Sequence, residues 1–255
     1  MEFIDTHTHL FAEEFINEQE AVINRALKSR VKKLLLPNID IGSIQALKSF
    51  AELAPENCYP MMGLHPCSVT KNYEHDLAVI KDELYSSYRY YGVGEIGLDL
   101  YWDKTFRESQ EKAFVKQCEW AVELDLPVSI HTRSATYDTI KCLKSMKKMP
   151  VGVFHCFSGS MEEAEEILKL GLYLGIGGVV TFKNSALHEI LRKVPLESIV
   201  LETDAPYLSP VPYRGKRNES SYIPYIAEKL SEIYQLSVER IAETTTYNAK
   251  IIFMV

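Results

Sequence analysis

Histidine and acidic side chains that can bind metal ions recur along the whole sequence. Two histidines stand two positions apart near the amino terminus, in His7-Thr8-His9. Side chains two positions apart on a β-strand point to the same side, so a strand here brings both imidazoles to one ion. Imidazole combined with carboxylate suits Zn²⁺, Mn²⁺ or Fe²⁺ and is less natural for Mg²⁺ or Ca²⁺. The other candidate ligands are far apart in sequence: His65, Glu95, His131, His155 and Asp204.

The segments around these residues alternate between short apolar runs and longer amphipathic ones. Such alternation predicts repeated βα units and a parallel sheet. Helical spacing is clearest in Phe106–Leu124, and Thr70–Tyr90, Ser160–Gly171 and Ser220–Tyr234 show it as well. Eight strands are predicted: Glu2–His9, Lys33–Asn38, Tyr59–His65, Tyr91–Leu98, Pro127–Thr132, Gly152–Phe157, Leu172–Gly177 and Ile199–Asp204.

Eight parallel strands with intervening helices predict a closed (β/α)8 barrel, the TIM barrel of the α/β class. The chain has 255 residues, a usual length for one such barrel, so a single domain spanning residues 1–255 is expected. An open doubly wound sheet is the alternative, but its glycine-rich phosphate-binding sequence is absent after the first strand. All the candidate ligands fall at or near the carboxyl ends of predicted strands, which converge on one face of a barrel. We therefore predict the functional site at that face.

The candidate ligands are more numerous than one tetrahedral ion requires. Glu95 carries two carboxylate oxygens, so it can bridge two ions roughly 3.5–4 Å apart. We therefore predict a two-metal centre. The two remaining histidines, His75 and His188, lie in predicted helices and are expected to be solvated.

Composition narrows the class of protein. The five cysteines are odd in number and form no C-x-x-C pair, which argues against a disulfide framework or a zinc ribbon and predicts reduced, mostly buried thiols. The sequence shows no signal-peptide pattern and no apolar run of about 18 residues, so we expect no membrane contact and a cytoplasmic location. The formal net charge of −7 excludes a protein that binds nucleic acid over its whole surface, because phosphate affinity comes from Lys and Arg.

Six sequence blocks follow one another along the chain at the spacing of the predicted strands. They are Asp5-Thr6-His7-Thr8-His9-Leu10, Gly63-Leu64-His65-Pro66, Gly94-Glu95-Ile96-Gly97-Leu98-Asp99, His131-Thr132-Arg133, Phe154-His155-Cys156-Phe157-Ser158-Gly159 and Leu201-Glu202-Thr203-Asp204-Ala205-Pro206-Tyr207-Leu208. Together they resemble the TatD family of metal-dependent deoxyribonucleases.

This resemblance implies a fold, an activity and a set of metal ligands. The family has the (β/α)8 barrel of the metal-dependent hydrolase superfamily and cleaves DNA, often as a 3′-exonuclease, with Mg²⁺ or Mn²⁺. Carried over to this chain, the ligands of one ion are His7, His9, Glu95 and Asp204, and those of the other are Glu95, His131 and His155.

A mechanism follows from the strand-end residues as a hypothesis. Two ions lower the pKa of a shared water and so provide a hydroxide that attacks phosphorus in line. Asp204, a ligand with a spare oxygen, is the candidate general base. His65 is expected to hydrogen-bond a phosphoryl oxygen or to protonate the leaving group. Arg133 can bind the phosphate with two hydrogen bonds, since guanidinium geometry matches two phosphate oxygens.

The segment Arg214–Glu219 also resembles a family segment, although Ser220 stands where proline is usual and leaves the local loop shape open. Its basic residues, from Arg214 to Arg217, form a candidate phosphate track after the last strand. DNA, single-stranded or at its 3′ ends, is the expected partner of a monomeric protein. Aromatic side chains on neighbouring loops are candidates for stacking against bases: Tyr101, Trp102 and Tyr207.

Other functions remain open at this point. Amide and lactone hydrolases similar to dihydroorotase or phosphotriesterase share the H-x-H pattern, but commonly bridge their metals with a carboxylated lysine where this chain has Glu95. Hydrolysis of RNA or aminoacyl-tRNA esters requires the same metal chemistry. A non-catalytic metal-binding protein would usually lack one of the ligands, and none is missing here.

Overall fold

The computed structural model describes residues Met1 to Val255 and contains eight strands that pair in parallel. Each strand lies beside its neighbours in sequence, in one run of three strands and a second run of five. The strands are β1 Phe3–Asp5, β2 Val31–Pro37, β3 Cys58–Met61, β4 Val93–Asp99, β5 Val128–Arg133, β6 Gly152–Phe154, β7 Tyr173–Ile176 and β8 Ile199–Leu201.

Hydrogen bonds at two seams close these runs into a barrel. Between β3 and β4, Met62 pairs with Val93 in parallel. Between β8 and β1, the Thr6 amide and hydroxyl both donate to the Leu201 carbonyl oxygen at 3.0 Å. No strand edge is left open, and the predicted (β/α)8 barrel is confirmed.

Helices follow every strand, and α4 and α6 show why these segments are helical. In α4, Phe114, Cys118 and Ala121 recur at three- and four-residue steps and are buried on one face. α6 begins with a capping box, in which Ser160 and Glu163 satisfy each other's backbone amides. The helices are α1 Gln19–Lys28, α2 Ile44–Leu53, α3 Tyr73–Leu84, α4 Arg107–Leu124, α5 Thr136–Ser145, α6 Met161–Lys169, α7 Leu187–Leu191, α8 Ile223–Tyr234 and α9 Val238–Phe253.

The hydrophobic core has two parts because alternate residues of a strand face opposite sides. Leu34 and Leu36 of β2 belong to the large cluster between strands and helices, whereas Leu35 belongs to a smaller second cluster. This smaller cluster joins side chains of several strands to Ile252 and Phe253 of α9. Asn248 of α9 donates to the carbonyls of Leu196 and Ile199, before and at the start of β8, so α9 covers the amino end of the barrel, opposite the candidate site.

Several strands end earlier than predicted. β1 stops at Asp5, β3 at Met61, β6 at Phe154 and β8 at Leu201, so five candidate ligands lie just after strands and not in them. The prediction that His7-Thr8-His9 is on a strand is therefore wrong. Its backbone leaves the regular ladder because the His9 amide donates to the Ala205 carbonyl at 2.7 Å and the Asp204 amide donates to His7 at 2.9 Å.

The cysteines are less buried than predicted, although none forms a disulfide. Only Cys58 and Cys118 are buried, whereas Cys67 is exposed and Cys142 and Cys156 are half-buried. The difference arises because Cys67 and Cys156 stand in the turns that follow β3 and β6. None of the helices combines the length and the apolar character needed to cross a membrane.

Candidate metal centre

The structure brings all the candidate ligands together at the carboxyl ends of the strands. Glu95 and His131 point from β4 and β5, and the others extend from the segments directly after β1, β3, β6 and β8. The close approach of β4 to β5 depends on Gly97, whose φ is 144°; a Cβ there would lie 2.0 Å from the His131 carbonyl oxygen. The cluster is largely buried, and His131, His65 and Asp204 are its members nearest to solvent.

The Glu95 carboxylate lies at the centre, and its two oxygens face different imidazoles. Oε2 lies 3.2 Å from Nε2 of His7 and 3.3 Å from Nε2 of His9. Oε1 lies 2.9 Å from Nδ1 of His131 and 2.8 Å from Nε2 of His155. Glu95 therefore divides the donors into two sets, one beside each carboxylate oxygen.

Asp204 completes the first of these sets. Its Oδ1 lies 3.7 Å from Nε2 of His9 and 3.9 Å from Nε2 of His7. The residue has φ of 56°, a left-handed conformation that Asp adopts more readily than most residues other than glycine. The peptide plane is fixed by the amide hydrogen bond to His7, so the carboxylate is directed toward the two histidines.

The spacing and chemistry of the donors fit divalent metal. Three groups have all their donor atoms within 4.8 Å of one another: His7, His9 and Glu95; His7, His155 and Asp204; and His65, Glu95 and His131. Donor atoms about 2.1 Å from a shared ion lie roughly 3 to 3.5 Å apart, which matches the distances around Glu95. No lysine or arginine forms an ion pair with these carboxylates. The negative charge of the centre is thus available to cations.

The pKa values of the two acids of the centre are shifted in opposite directions, one by the neighbouring imidazoles and the other by burial. Burial alone raises the pKa of a carboxyl, but the imidazoles of His65, His155 and His7 hold the pKa of Glu95 well below its usual value. Burial raises the pKa of Asp204 to about 6. Glu95 is therefore a permanent anion at neutral pH, whereas Asp204 exchanges a proton much closer to neutrality.

The hydrogen bonds of the imidazoles indicate which of them can offer a lone pair to a cation and which offers a hydrogen. His9 Nδ1 lies 3.2 Å from the Pro37 carbonyl oxygen, which can only accept, so Nδ1 carries the hydrogen and Nε2 presents its lone pair to the centre. In His131 the two nitrogens have exchanged roles. Nε2 donates to Asp99 Oδ2 at 3.1 Å, and Nδ1 presents its lone pair on the side of Glu95.

His65 has the reverse arrangement. Its Nδ1 accepts a hydrogen bond from the Cys67 amide at 3.1 Å, so in the neutral imidazole the hydrogen is on Nε2. That nitrogen lies 3.3 Å from Glu95 Oε1 and faces the centre. His65 therefore presents a donor where His9 and His131 present lone pairs.

Comparison with known proteins places this arrangement in a family. A model of the family described as TatD related DNase matches residues 4–254. The chain belongs to the TatD family. A Bacillus subtilis relative, named as the uncharacterized metal-dependent hydrolase YabD, is 40% identical over 98% of both chains. A Pantoea ananatis relative, named as the 3′-5′ ssDNA/RNA exonuclease TatD, is 32% identical over 98% of both chains.

The fold agrees with a solved structure of the same family. The TatD homologue YjjV of Escherichia coli superimposes with a TM-score of 0.92 at 31% identity, over 99% of this chain and 98% of that one. The present protein is thus a metal-dependent hydrolase of the TatD type, and its barrel covers the whole chain.

Three polar residues beside the imidazoles of this TatD centre are not among the site residues predicted from the sequence. Asp99 hydrogen-bonds His131, and Ser129 Oγ lies 2.8 Å from Nδ1 of His7. Glu202 is fully buried and accepts from the Cys156 amide, while its Oε1 lies 3.6 Å from Nδ1 of His155, too far for a hydrogen bond. Hydrogen-bond partners such as Asp99 and Ser129 fix the orientation of an imidazole, and a carboxylate partner increases its basicity. Asp99 and Glu202 stand in the sequence blocks quoted above, but nothing in the sequence shows which histidine each one contacts.

Replacing Asp99 by Asn is expected to weaken metal binding about 10- to 100-fold, because His131 loses the carboxylate that fixes its ring and tautomer. Metal affinity is measured on the chelator-treated protein by competition with a chromogenic chelator. Asp103→Asn, at an acid in the exposed loop that follows, is the matched control. Equal affinities for the two variants would show that His131 does not need this partner.

The predicted substrate-binding arginines have different surroundings. The guanidinium of Arg133 stacks over the Tyr101 ring at 3.9 Å, and that of Arg214 over the Phe182 ring at 4.5 Å. Arg217 instead pairs with Glu18 at 2.6 Å and also donates to the Glu14 carbonyl, so it anchors its loop near α1. In the basic segment after β8, the charge of Arg217 is therefore paired with a carboxylate, whereas that of Arg214 is not.

The two histidines outside the centre differ from each other. His75 is exposed on α3, as predicted. His188 in α7 is half-buried, and its Nε2 lies 2.7 Å from the Val180 carbonyl oxygen, so the expected solvated role is wrong. The hydrogen bond links α7 to the turn after β7.

Proposed function

We propose that this TatD protein hydrolyses phosphodiester bonds of single-stranded DNA from the 3′ end, using two divalent ions. The observation that carries the proposal is the division of donors by Glu95, whose Oε2 faces His7 and His9 and whose Oε1 faces His131 and His155. A carboxylate between two imidazole sets suits a bridging ligand. The Pantoea relative, named for 3′-5′ exonuclease activity on single strands, supports the choice of substrate.

The residues of each set would hold one ion. The first ion would bind His7, His9, Glu95 and Asp204, and the second would bind Glu95, His131 and His155. A bound pair of Mg²⁺ or Mn²⁺ ions, with Zn²⁺ as the alternative for so many imidazoles, supplies Lewis acidity and an activated water.

The protein side chains supply the proton transfers. Asp204 accepts the proton of the attacking water at its carboxylate, because one of its two oxygens stays free when the other is a ligand. His65 donates from Nε2–H to a phosphoryl oxygen or to the leaving oxygen, because its Nδ1 is occupied by the Cys67 amide. Arg133, near the mouth of the barrel, binds a phosphate through its guanidinium.

The proposal is tested with a substrate panel under metal control. Single-stranded DNA, duplex DNA, RNA, aminoacyl-tRNA and a cyclic amide are each incubated with the purified protein. We expect metal-dependent shortening of single-stranded DNA from its 3′ end, loss of activity in EDTA and recovery with Mn²⁺. RNA is the nearest alternative substrate, because the named relative acts on both.

The direction of degradation has its own control. A phosphorothioate at the last 3′ linkage should protect a strand labelled at its 5′ end, whereas the same group at the first 5′ linkage should not. Metal-dependent turnover of the cyclic amide with no cleavage of any nucleic acid would overturn the proposal.

A further inference from the structure

Two cavities adjoin at Ser158, which lines both and stands three positions after His155. One has a volume of about 430 Å³ and is lined by Tyr101, Arg133 and Tyr137, among others; we call it the aromatic lobe. The other has a volume of about 360 Å³ and is lined by Phe182, Lys183 and Arg214, among others; we call it the cationic lobe. Each volume lies within the range of small-ligand pockets, roughly 300–1,000 Å³.

Both lobes open at the mouth of the barrel. The aromatic lobe is formed by the segments after β4, β5 and β6, and Arg133 is the last residue of β5, two positions beyond His131. The Tyr101 amide donates to Asp99 Oδ1 at 3.0 Å, and Asp99 also contacts His131. The cationic lobe is formed by the segments after β6, β7 and β8. Because the two lobes share Ser158, we refer to them together as the groove.

The aromatic lobe has one ring that is open to solvent, that of Tyr137, and the exposed Trp102 stands next to the lobe, whereas the Tyr101 ring is covered by Arg133. Tyr137 in the first turn of α5 is 76% exposed, and Trp102, which packs edge-on against Tyr101, is 71% exposed. The acids that line this lobe have other partners: Asp138 pairs with Arg107 at 2.6 Å, and Glu163 caps α6. Exposed rings beside a cation are the surface on which unpaired bases stack.

The cationic lobe carries two positive side chains and no acid. Lys183 and Arg214 line it, and neither pairs with a carboxylate within 4.0 Å. The Phe182 ring holds the Arg214 guanidinium at the wall. A local positive surface in a chain of net charge −7 is suited to binding phosphate.

We propose that this groove binds a single strand of nucleic acid that passes over Ser158, with bases stacked in the aromatic lobe and backbone phosphate against the cationic lobe. The inference rests on the proposed function and extends it by giving the strand a path to the metal centre. It also gives a physical reason for preferring single strands, because the bases of a duplex are already stacked on each other and cannot cover the exposed rings.

The two lobes are tested by two variants with different expected signatures. Binding of fluorescent oligothymidylate is measured by anisotropy with Mn²⁺, in the Asp204→Asn background to prevent cleavage. Tyr137→Ala removes a stacking surface, so affinity should fall about 5- to 100-fold with little change in its salt dependence. Arg214→Ala removes a phosphate contact, so affinity should fall and the slope of log K against log salt should decrease by about 0.7.

Matched controls exist elsewhere on the chain. Tyr247→Ala removes a ring that is 64% exposed on α9, and Arg89→Ala removes a guanidinium that stacks over Tyr91 at 4.6 Å before β4. Neither control should alter the affinity or the salt slope. Both groove variants should also lose affinity for oligouridylate, because stacking and phosphate contacts do not depend on hydrogen bonds to the edges of the bases.

The outcomes separate this inference from the proposed function. If both groove variants bind like their controls while the parent protein degrades single strands with metal, the groove is overturned and the function stands. If Tyr137→Ala weakens the binding of duplex as strongly as that of single strands, the stacking assignment is overturned. If the parent protein cleaves no nucleic acid in the substrate panel, the proposed function is what fails.

Discussion

Glu95→Gln is expected to lose both metal sites and to lower turnover by at least about 10³-fold, the scale found when a group that stabilises active-site charge is removed. Each oxygen of Glu95 faces two ligand imidazoles at 2.8–3.3 Å, so the change affects both donor sets at once. The amide carries no negative charge, and its NH₂ group replaces one of the oxygens with donors. Elemental analysis of the dialysed protein measures the loss of metal. The kcat on single-stranded DNA measures the loss of turnover.

The control for this variant is Glu83→Gln, which removes another partly buried carboxylate that is paired with Lys48, away from the centre. It should keep its metal content and its kcat. Circular dichroism and thermal melts of the Glu95→Gln protein establish that the barrel is folded. A folded Glu95→Gln protein that retains two ions per chain would contradict the bridging role.

Asp204→Asn should leave the fold and most of the bound metal intact but lower kcat about 10²- to 10⁴-fold, the usual effect of general-base removal. Asparagine retains an oxygen at the ligand position but cannot take up a proton. Substrate binding is expected to change little, so KM should remain close to that of the parent protein. Single-turnover cleavage at a known metal content isolates the chemical step.

Asp82→Asn, at an exposed acid on α3, is the control and should be fully active. The assignment of Asp204 as the base would be wrong if Asp204→Asn, loaded with metal to the same level, cleaved at the parental rate. A variant that loses its metal instead would show that Asp204 is needed as a ligand before it is needed as a base, and this outcome is separated from the first by the metal measurement.

The barrel was predictable because its signal is spread over the whole chain. Parallel strands covered on both faces are apolar at consecutive positions, as in Leu34-Leu35-Leu36, and each is followed by an amphipathic segment. The convergence of the polar residues followed from the same topology, because the carboxyl ends of all eight strands meet at one face. The site was thus located by the fold and not by any single motif.

The ends of the strands were not predictable from local pattern. His7 and His9 alternate as on a strand, yet β1 stops at Asp5 because the segment bonds to the chain after β8, about 200 positions away. Hydrophobic alternation contains no information on such partners. The same limit explains the error on His188, whose hydrogen bond to Val180 depends on the turn after β7.

Long-range partners also decide which polar residues support the site. Arg217 is a basic residue in a basic loop. Only the fold shows that it forms an ion pair with Glu18, 199 positions away in sequence. Asp99 and Glu202 were visible as acids near ligands, but their contacts with His131 and His155 come from the packing of neighbouring strands. Composition and spacing predict a metal site. Only the three-dimensional structure shows which polar residue contacts which histidine of that site.

The hydrogen bond from the Asp204 amide to the His7 carbonyl joins the segments that follow the first and the last strand. The first donor set therefore needs residues from both of these segments, which has a consequence for biosynthesis. A ribosome must translate four-fifths of the message before the acid that completes the first donor set exists. A polypeptide that terminates earlier lacks that acid and also the strand that seals the barrel. Termination before Asp204 is therefore expected to yield an inactive fragment.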